Sequence, residues 1–214
     1  MMNVVINDKD SFFRFGLLKL LQQIFSLAET DFIVSDKLDA TTVHDVDVIV
    51  MNFSVGETVI CHQVLKKRKK KSLLIGIYPE KKNPRFARLP LCVKNSVFIA
   101  RDDSIKAITD KIHFAAKSLT VSREGEYAFS CLDCACRVLS PQQMKIAVGF
   151  FHGQDTKQIA KVLSINAKTV SARKRQIMQK YDLDCDFELL TLLNRMGHQQ
   201  NMRYLFSERL IFIV

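Results

Sequence analysis

Apolar residues in the first 120 positions alternate between two spacings. Strands are predicted at residues 2–7 and 47–53, where the consecutive apolar residues 4–6 and 48–51 are typical of strands covered on both faces of a parallel sheet. Residues 11–25 between them place apolar side chains three and four positions apart, as on one face of a helix. Further strands are predicted at 32–35, 73–78 and 97–100, and further helices at 57–69 and 104–119. This alternation predicts an α/β domain with a doubly wound parallel sheet over residues 1–120.

Beyond residue 136 only the helical spacing remains. Four helices are predicted there, at residues 140–151, 155–163, 167–180 and 186–196. Asp155 and Gln158 are placed to close a capping box at the start of the second helix, and Asn166 is placed to cap the third. Two short helices around a tight turn predict a helix-turn-helix. Residues 137–197 are therefore predicted to be an all-α domain of four helices.

The remaining segments are a linker and a tail. Residues 121–136 are predicted to connect the two domains, and Pro79, Pro84 and Pro90 predict a loop at 79–91 within the first. The tail, residues 198–214, ends in the apolar run LIFIV, which is strand-like and would be sticky if exposed. Such a tail either folds back on a domain or serves a partner, and the sequence leaves both open.

Positive charge is concentrated on the third of the C-terminal helices. The chain has a formal net charge of +10, and residues 137–197 hold 10 Lys and Arg against 5 Asp and Glu. The helix at 167–180 contains five cations and no acid, which favours a polyanionic partner such as double-stranded DNA. Val170 and Ile177 are predicted to seat this helix, so that its outer side enters the major groove. The predicted contacts to base edges and neighbouring phosphates are Lys168, Thr169, Ser171 and Arg173, and the predicted phosphate contacts are Lys174, Arg175 and Lys180.

The C-terminal domain carries a set of apolar, Gly, cap and basic positions in one register, namely Leu139-Ser140-Pro141, Gly153, Lys157-Gln158-Ile159-Ala160, Ile165, Lys168-Thr169-Val170-Ser171 and Ile177. In these residues it resembles the LuxR/FixJ-type helix-turn-helix of bacterial transcription regulators. Gln143 and Arg173 depart from the family, which usually has Glu and often has His there. Gln143 can still close a capping box and Arg173 can still reach a phosphate or a guanine edge, so the departures alter fine specificity. The run NAKTVS at 166–171 is similar to RcsA-like auxiliary regulators of enterobacteria.

The α/β module in front of this domain resembles the receiver domain of response regulators. That resemblance implies two acids after the first strand that hold Mg²⁺, and an Asp at the end of the third strand that takes a phosphoryl group. It also implies a Lys after the fifth strand. Here Asp8 matches the first acid, but Lys9, Asn52 and Arg101 stand at the other three positions.

These departures remove the chemistry of the receiver pocket. The amide of Asn52 is no nucleophile towards a phosphoryl group, and Lys9 brings a cation where Mg²⁺ needs oxygen anions. Lys9 or Arg101 could instead pair with the nearby carboxylates. We therefore predict a pseudo-receiver with no cofactor and no phosphotransfer. The alternative is a true receiver in another register, for which Asp10 and Asp47 are the nearby acids.

A cationic run, KKRKKK, occupies residues 66–71 just before the fourth predicted strand. Such a run could touch DNA phosphates or an anionic ligand. More commonly such a run is a solvated helix end, because the helix dipole favours cations at its C-terminal end, and we predict that arrangement for this run.

Six cysteines are present, and Cys131, Cys134 and Cys136 lie close together in the linker. Three thiolates could bind zinc or an iron–sulfur cluster, with Cys185 or His152 as a fourth ligand. The spacing lacks the second matching Cys pair of a zinc site, so reduced thiols and no metal are predicted.

Composition argues for a cytoplasmic protein with no membrane segment. No stretch approaches 18 uninterrupted apolar residues, and Asp8, Lys9 and Asp10 interrupt any signal-peptide pattern.

No Ser-His-Asp arrangement, Walker loop or metal-binding helix is present, so no enzymatic activity is predicted.

The function predicted from the sequence is a sequence-specific, DNA-binding regulator of bacterial transcription. A homodimer, or a heterodimer with a related regulator, is expected because one such domain contacts few base pairs. Control is expected through a partner, a ligand or abundance, and not through phosphorylation. The alternative is an adaptor or anti-activator that heterodimerises with another regulator and binds DNA poorly alone.

Overall fold

A five-stranded parallel sheet forms the centre of the N-terminal part of the computed structural model. The strands are β1 (Met2–Asn7), β2 (Phe32–Ser35), β3 (Val48–Asn52), β4 (Leu73–Tyr78) and β5 (Ser96–Ala100). They pair in the order β2-β1-β3-β4-β5, which is the flavodoxin-like order of a doubly wound sheet. Helices α1 (Ser11–Phe25) and α2 (Ile105–Val121) accompany this sheet. The predicted fold class is confirmed.

The structure describes residues 1–26, 31–69, 71–78, 89–94, 96–121 and 137–198. The chain divides into two compact units, Met1–Phe53 with His62–Ala135, and Ser54–Cys61 with Cys136–Val214. The predicted linker, apart from Val121, the larger part of the predicted loop at 79–91, and the tail beyond His198 lie outside the described residues. No helix in the described ranges is both long and apolar enough to cross a membrane.

Both faces of the central strands are buried, as their consecutive apolar residues predict. On one face, strand residues such as Val50 and Ile75 pack with Leu21 of α1 and Ile112 of α2. On the other face, Phe98 makes edge-to-face contacts with Phe53 and Tyr78, with ring centroids 5.6 Å and 6.3 Å apart. Alternate side chains of β3, β4 and β5 therefore enter separate apolar layers, whereas Ile33 and Val34 of the edge strand β2 are exposed.

The helix predicted at 57–69 is wrong. The chain instead makes 3₁₀ turns at Glu57–Val59 and Leu65–Lys67, and it is extended at Ile60 and Arg68. Gly56 has a φ of +78°, outside the helical region. Thr58, Val59 and Ile60 are β-branched and lose rotamer freedom in a helix, so the local preference for a helix is weak.

Tertiary contacts of Arg68 also favour the extended conformation over a helix at this position. Its side chain is buried, and its guanidinium donates to the carbonyl oxygen of Ser72 at 2.9 Å and to that of Lys94. Burial lowers the pKa of Arg68 to about 10, and the nearby Cys92 opposes this shift. The cationic run at 66–71 is therefore not a simple solvated helix end, because its Arg is part of the core and Lys69 pairs with Asp47 at 2.7 Å.

The second unit contains four helices, α3 (Pro141–Phe151), α4 (Thr156–Val162), α5 (Ala167–Tyr181) and α6 (Asp186–His198). Ser140 and Gln143 form a capping box at the start of α3. Gly153 follows α3 with a φ of +74°, a conformation that favours glycine at a helix end. The helices share one apolar core, built from side chains such as Ile146, Ile159 and Leu193.

A paired glycine experiment tests the packing of the N-terminal sheet. A Cβ added at Gly76 in β4 would lie 2.5 Å from two ring carbons of Phe98, so Gly76→Ala should destabilise the unit by about 1–3 kcal/mol. Gly16→Ala in α1 is the control, because a Cβ there meets nothing within 4 Å. The control should stabilise by about 1 kcal/mol through helix propensity. Urea denaturation measures both, and equal midpoints for Gly76→Ala and the wild type would contradict the packing.

Candidate functional site

The turn between α4 and α5 is fixed by local hydrogen bonds. The Asp155 carboxylate accepts from the Gln158 N–H at 2.7 Å, and the Gln158 side chain accepts from the Asp155 N–H at 2.7 Å. Ser164 takes a left-handed conformation with a φ of +53°, which ends the first helix. The Asn166 side chain then accepts from the Lys168 N–H at 2.8 Å and starts α5. The predicted helix-turn-helix therefore has both of its predicted caps.

One face of α5 is seated in the core. Val170 and Tyr181 are fully buried and Ile177 is 1% exposed. The Tyr181 hydroxyl donates to the carbonyl oxygen of Arg137 at 3.0 Å, which satisfies its polar end. Because these positions recur at helical spacing, the opposite side of α5 faces outward along its whole length.

The outward side of α5 mixes cations with small and amide side chains. Lys168, Ser171 and Arg175 are exposed, whereas Thr169 and Arg173 are half-buried at the edge of this side. Arg173 donates to the Gln176 side chain at 2.9 Å. Sequence reasoning passed over three further exposed residues, Ala172, Gln176 and Gln179. Their signal was the helical spacing itself, since they lie opposite Val170 and Ile177, but they carry no charge.

Two of the cations predicted to contact phosphates are engaged within the protein. Lys174 pairs with Asp186 at 2.6 Å, and its ammonium lies 5.1 Å from the ring centre of Phe150. Lys180 donates to the carbonyl oxygen of Val138. The structure thus ties both lysines to neighbouring segments and leaves Lys168 and Arg175 as the exposed cations on the outward side.

The fourth helix divides its leucines between core and surface. Leu189, Leu192 and Leu193 are buried and complete the core. Leu190 is 41% exposed, and Phe187, one helical turn before it, is 78% exposed.

Cys185 and His152 are both exposed, while Cys131, Cys134 and Cys136 lie outside the described residues. Within the described ranges, no group of three metal-ligating side chains is present.

In the N-terminal unit, three of the four predicted pocket residues come together. The Asn52 amide donates to the Asp8 carboxylate at 2.8 Å, and the Arg101 guanidinium donates to the same oxygen. The guanidinium of Arg101 also contacts Asp10 at 3.4 Å and stacks on Phe13 at 4.3 Å from the ring centre. Lys9, the fourth pocket residue, is exposed.

The two acids of the alternative register have other roles. Asp10 caps α1, accepting from the N–H groups of Phe12 and Phe13. Asp47 precedes β3, at the opposite end of the strand from Asn52, and it accepts from the Asn3 N–H at 2.8 Å.

The charge of Asp8 is held by its neighbours. The Asp8 side chain is only 1% exposed, and burial alone would raise the pKa of this carboxyl. Hydrogen bonds from Asn52, the Asp10 N–H and Arg101, together with the charge of Arg101, outweigh burial and lower the pKa below its ordinary value of 3.8. The buried carboxylate of Asp8 is therefore neutralised by the guanidinium of Arg101.

Replacing Arg101 tests this electrostatic balance. Arg101→Met should raise the pKa of Asp8, because the variant loses the hydrogen bond and the positive charge of Arg101, which oppose the effect of burial. A lowered carboxyl pKa stabilises the fold above the ordinary value of 3.8, and this contribution is lost as pH falls through the folded value. The variant should thus be less stable than wild type at neutral pH and converge with it in acid. The measurements are a carbon-13 NMR titration of Asp8 and thermal unfolding against pH. Lys9→Met is the control, and an equal effect from it would show a general charge effect.

Comparisons with known proteins agree with this architecture. Residues 137–192 match the family model of bacterial regulatory proteins, luxR family. No curated protein sequence matches the chain.

Solved structures of the response regulator RcsB share its fold. RcsB from Salmonella enterica serovar Typhimurium, bound to promoter P1flhDC with phosphomimetic BeF3⁻, is 19% identical with a TM-score of 0.58, covering 90% of this chain and 97% of that one. An RcsB–DNA complex and a structure of two RcsB dimers on two parallel DNAs are each 20% identical, with TM-scores of 0.56 and 0.55. Both cover 90% of this chain and 98% of the other. Residues 137–192 of this chain thus form a helix-turn-helix domain of the bacterial luxR regulatory family.

Proposed function

We propose that this protein is a sequence-specific, DNA-binding regulator of transcription that acts in the bacterial cytoplasm. The observation that carries the proposal is the outward side of α5, with exposed Lys168, Ser171 and Arg175 on a helix that contains no acid. Cations supply affinity for phosphates, and Arg, Lys and hydroxyl groups read base edges in the major groove. We call α5 the recognition helix. The solved RcsB structures were determined on DNA, which supports the same use of the fold here.

The regulator acts as a dimer, because one recognition helix contacts few base pairs. Phe187 and Leu190 lie one turn apart on α6 and are exposed, so they form an apolar patch outside the core. Exposed apolar patches of this kind favour a protein partner. The RcsB dimers on DNA support a homodimer or a heterodimer with a related regulator.

Phosphotransfer is not the switch of this regulator. Asn52 offers an amide where a receiver needs a nucleophilic carboxylate, and the Arg101 guanidinium lies on Asp8, where a metal ion would need free oxygen ligands. Control then passes to a partner, a ligand or the amount of protein. The degenerate pocket is formed by Asp8, Asn52 and Arg101, with Lys9 exposed beside it.

The second candidate is an adaptor that heterodimerises with another regulator and touches DNA little. The exposed Phe187 and Leu190 favour it, because they offer a partner surface apart from α5. A gel shift with the pure protein separates the two functions. A regulator binds duplex DNA alone, whereas an adaptor shifts DNA only when a related regulator is added.

Substitutions on α5 test the reading face. Lys168→Ala and Arg173→Ala should each weaken specific binding by about 1–3 kcal/mol and flatten discrimination at one base position. Arg175→Ala should lower affinity evenly across sequences and reduce the salt slope by about 1. Lys174→Ala is the matched control on the same helix, since its ammonium pairs with Asp186. Fluorescence anisotropy across a salt series measures all four. A loss for Lys174→Ala as large as that for Lys168→Ala would show that the reading face is misassigned.

Treatment with a small-molecule phosphodonor tests the pocket. Acetyl phosphate with Mg²⁺ should leave the DNA affinity of the wild type unchanged, because Asn52 cannot form an acyl phosphate. Asn52→Ala should behave like the wild type in the same assay, and protein mass should not increase. A gain in affinity and in protein mass on treatment that persists in Asn52→Ala would refute the pseudo-receiver, because another acid would then take the phosphoryl group.

A further inference from the structure

The segment Ser54–Cys61 follows β3 in the chain but groups with the helix-turn-helix unit. We call this segment the strap. Val59 and Ile60 of the strap are 9% and 4% exposed, and they belong to the same buried cluster as Ile177 and Leu193. Because the strap supplies two apolar side chains to this core, the unit is assembled from two separate stretches of sequence.

Polar contacts hold both ends of the strap. Glu57 is 4% exposed, and its carboxylate accepts from the Ser54 N–H at 2.8 Å. Arg195 of α6 lies 3.6 Å from the same carboxylate and donates to the Ser54 hydroxyl at 3.2 Å. Further along, the Arg137 N–H donates to the carbonyl oxygen of Val59 at 2.8 Å. A carboxylate this buried needs such partners, since an unpaired charge away from water is costly.

Gly56 sets how closely the strap approaches the helices. Its φ is +78°, and a Cβ there would lie 3.0 Å from both the Leu183 side chain and the Tyr181 carbonyl oxygen. The Leu192 side chain would be 3.2 Å away. Glycine is needed here for its backbone conformation and also for the close backbone contact with the end of α5.

We propose that the strap is a positioning element of the recognition helix, which clamps the C-terminal end of α5 to α6. Its contacts fall on Tyr181, Leu183, Leu192 and Arg195, whereas the exposed cations lie earlier on α5. The strap therefore supports the helix and leaves its outward side open. The effect of the strap on DNA affinity rests on the proposed function, but its place in the second unit does not.

Asn52 is the last residue of β3, and the strap begins two residues later at Ser54. Loss of the strap would free the end of α5 and expose Val59 and Ile60 together.

Hydrogen exchange on the full chain tests the proposal. Gly56→Ala should make the amides of α6 and the end of α5 exchange roughly tenfold faster, the order expected for one overpacked methyl group. Gly153→Ala is the matched control, because Gly153 has a φ of +74° but a Cβ there meets nothing within 4 Å. Equal exchange in the two variants would overturn the proposal. So would a loss of protection confined to β3 and β4.

A second variant and a DNA assay guard against misfolding and against failure of the proposed function. Arg195→Met removes the contacts with Glu57 and Ser54 from a half-exposed position, and it should speed exchange in the same amides by a smaller factor. On a duplex at low salt, Gly56→Ala should bind more weakly than Gly153→Ala. If the wild type binds no duplex, the proposed function fails, and the exchange comparison alone decides the place of the strap.

Discussion

The seating of α5 through Val170, Ile177 and Tyr181 is the constraint on which the second unit depends. Ile177 follows Val170 by seven positions and Tyr181 follows Ile177 by four, so burying these side chains fixes the rotation of the helix about its axis. That rotation decides which residues face outward, and it directs Lys168 and Arg175 to solvent. Side chains of α3, α4 and α6 share one buried cluster with these three residues. A substitution that disturbed this packing would rotate α5 and change the exposure of all its outward residues together. The core residues of α5 therefore also determine which of its side chains are available to a partner.

A second constraint governs the N-terminal pocket, where the buried Asp8 needs a positive partner. A metal ion with several oxygen ligands is one solution, and a guanidinium with an amide is another. The chain has the residues for the second solution, since Arg101 and Asn52 both donate to one Asp8 oxygen. The stacking of Arg101 on Phe13 fixes the guanidinium further. A pocket satisfied in this way gains little from a metal ion, which supports control by other means.

Periodicity carried most of the fold, because apolar spacing alone places the strands and the helices within a residue or two. It failed at residues 57–69, where Arg68 contacts the carbonyl oxygen of Lys94, 26 positions away. Arg68 lies in a cationic run that composition assigns to solvent, yet backbone carbonyls of Ser72 and Lys94 bury it. The order of side chains in a sequence does not show which backbone carbonyl oxygens will accept hydrogen bonds from a buried side chain. Likewise, the charge of Lys174 was visible in the sequence, but its pairing with Asp186 required the packed helices.

The energetics of base recognition make a partner surface necessary for this fold. Each mismatched base pair costs about 1–3 kcal/mol, and a single recognition helix reads only a few of them. One domain therefore discriminates poorly among the many competing sites of a genome, and two half-sites are needed. The patch of Phe187 and Leu190 lies on α6, apart from the outward side of α5, so a partner and DNA can be held together. Under the proposal that the pocket takes no phosphoryl group, formation of that pair is the step at which DNA binding is decided.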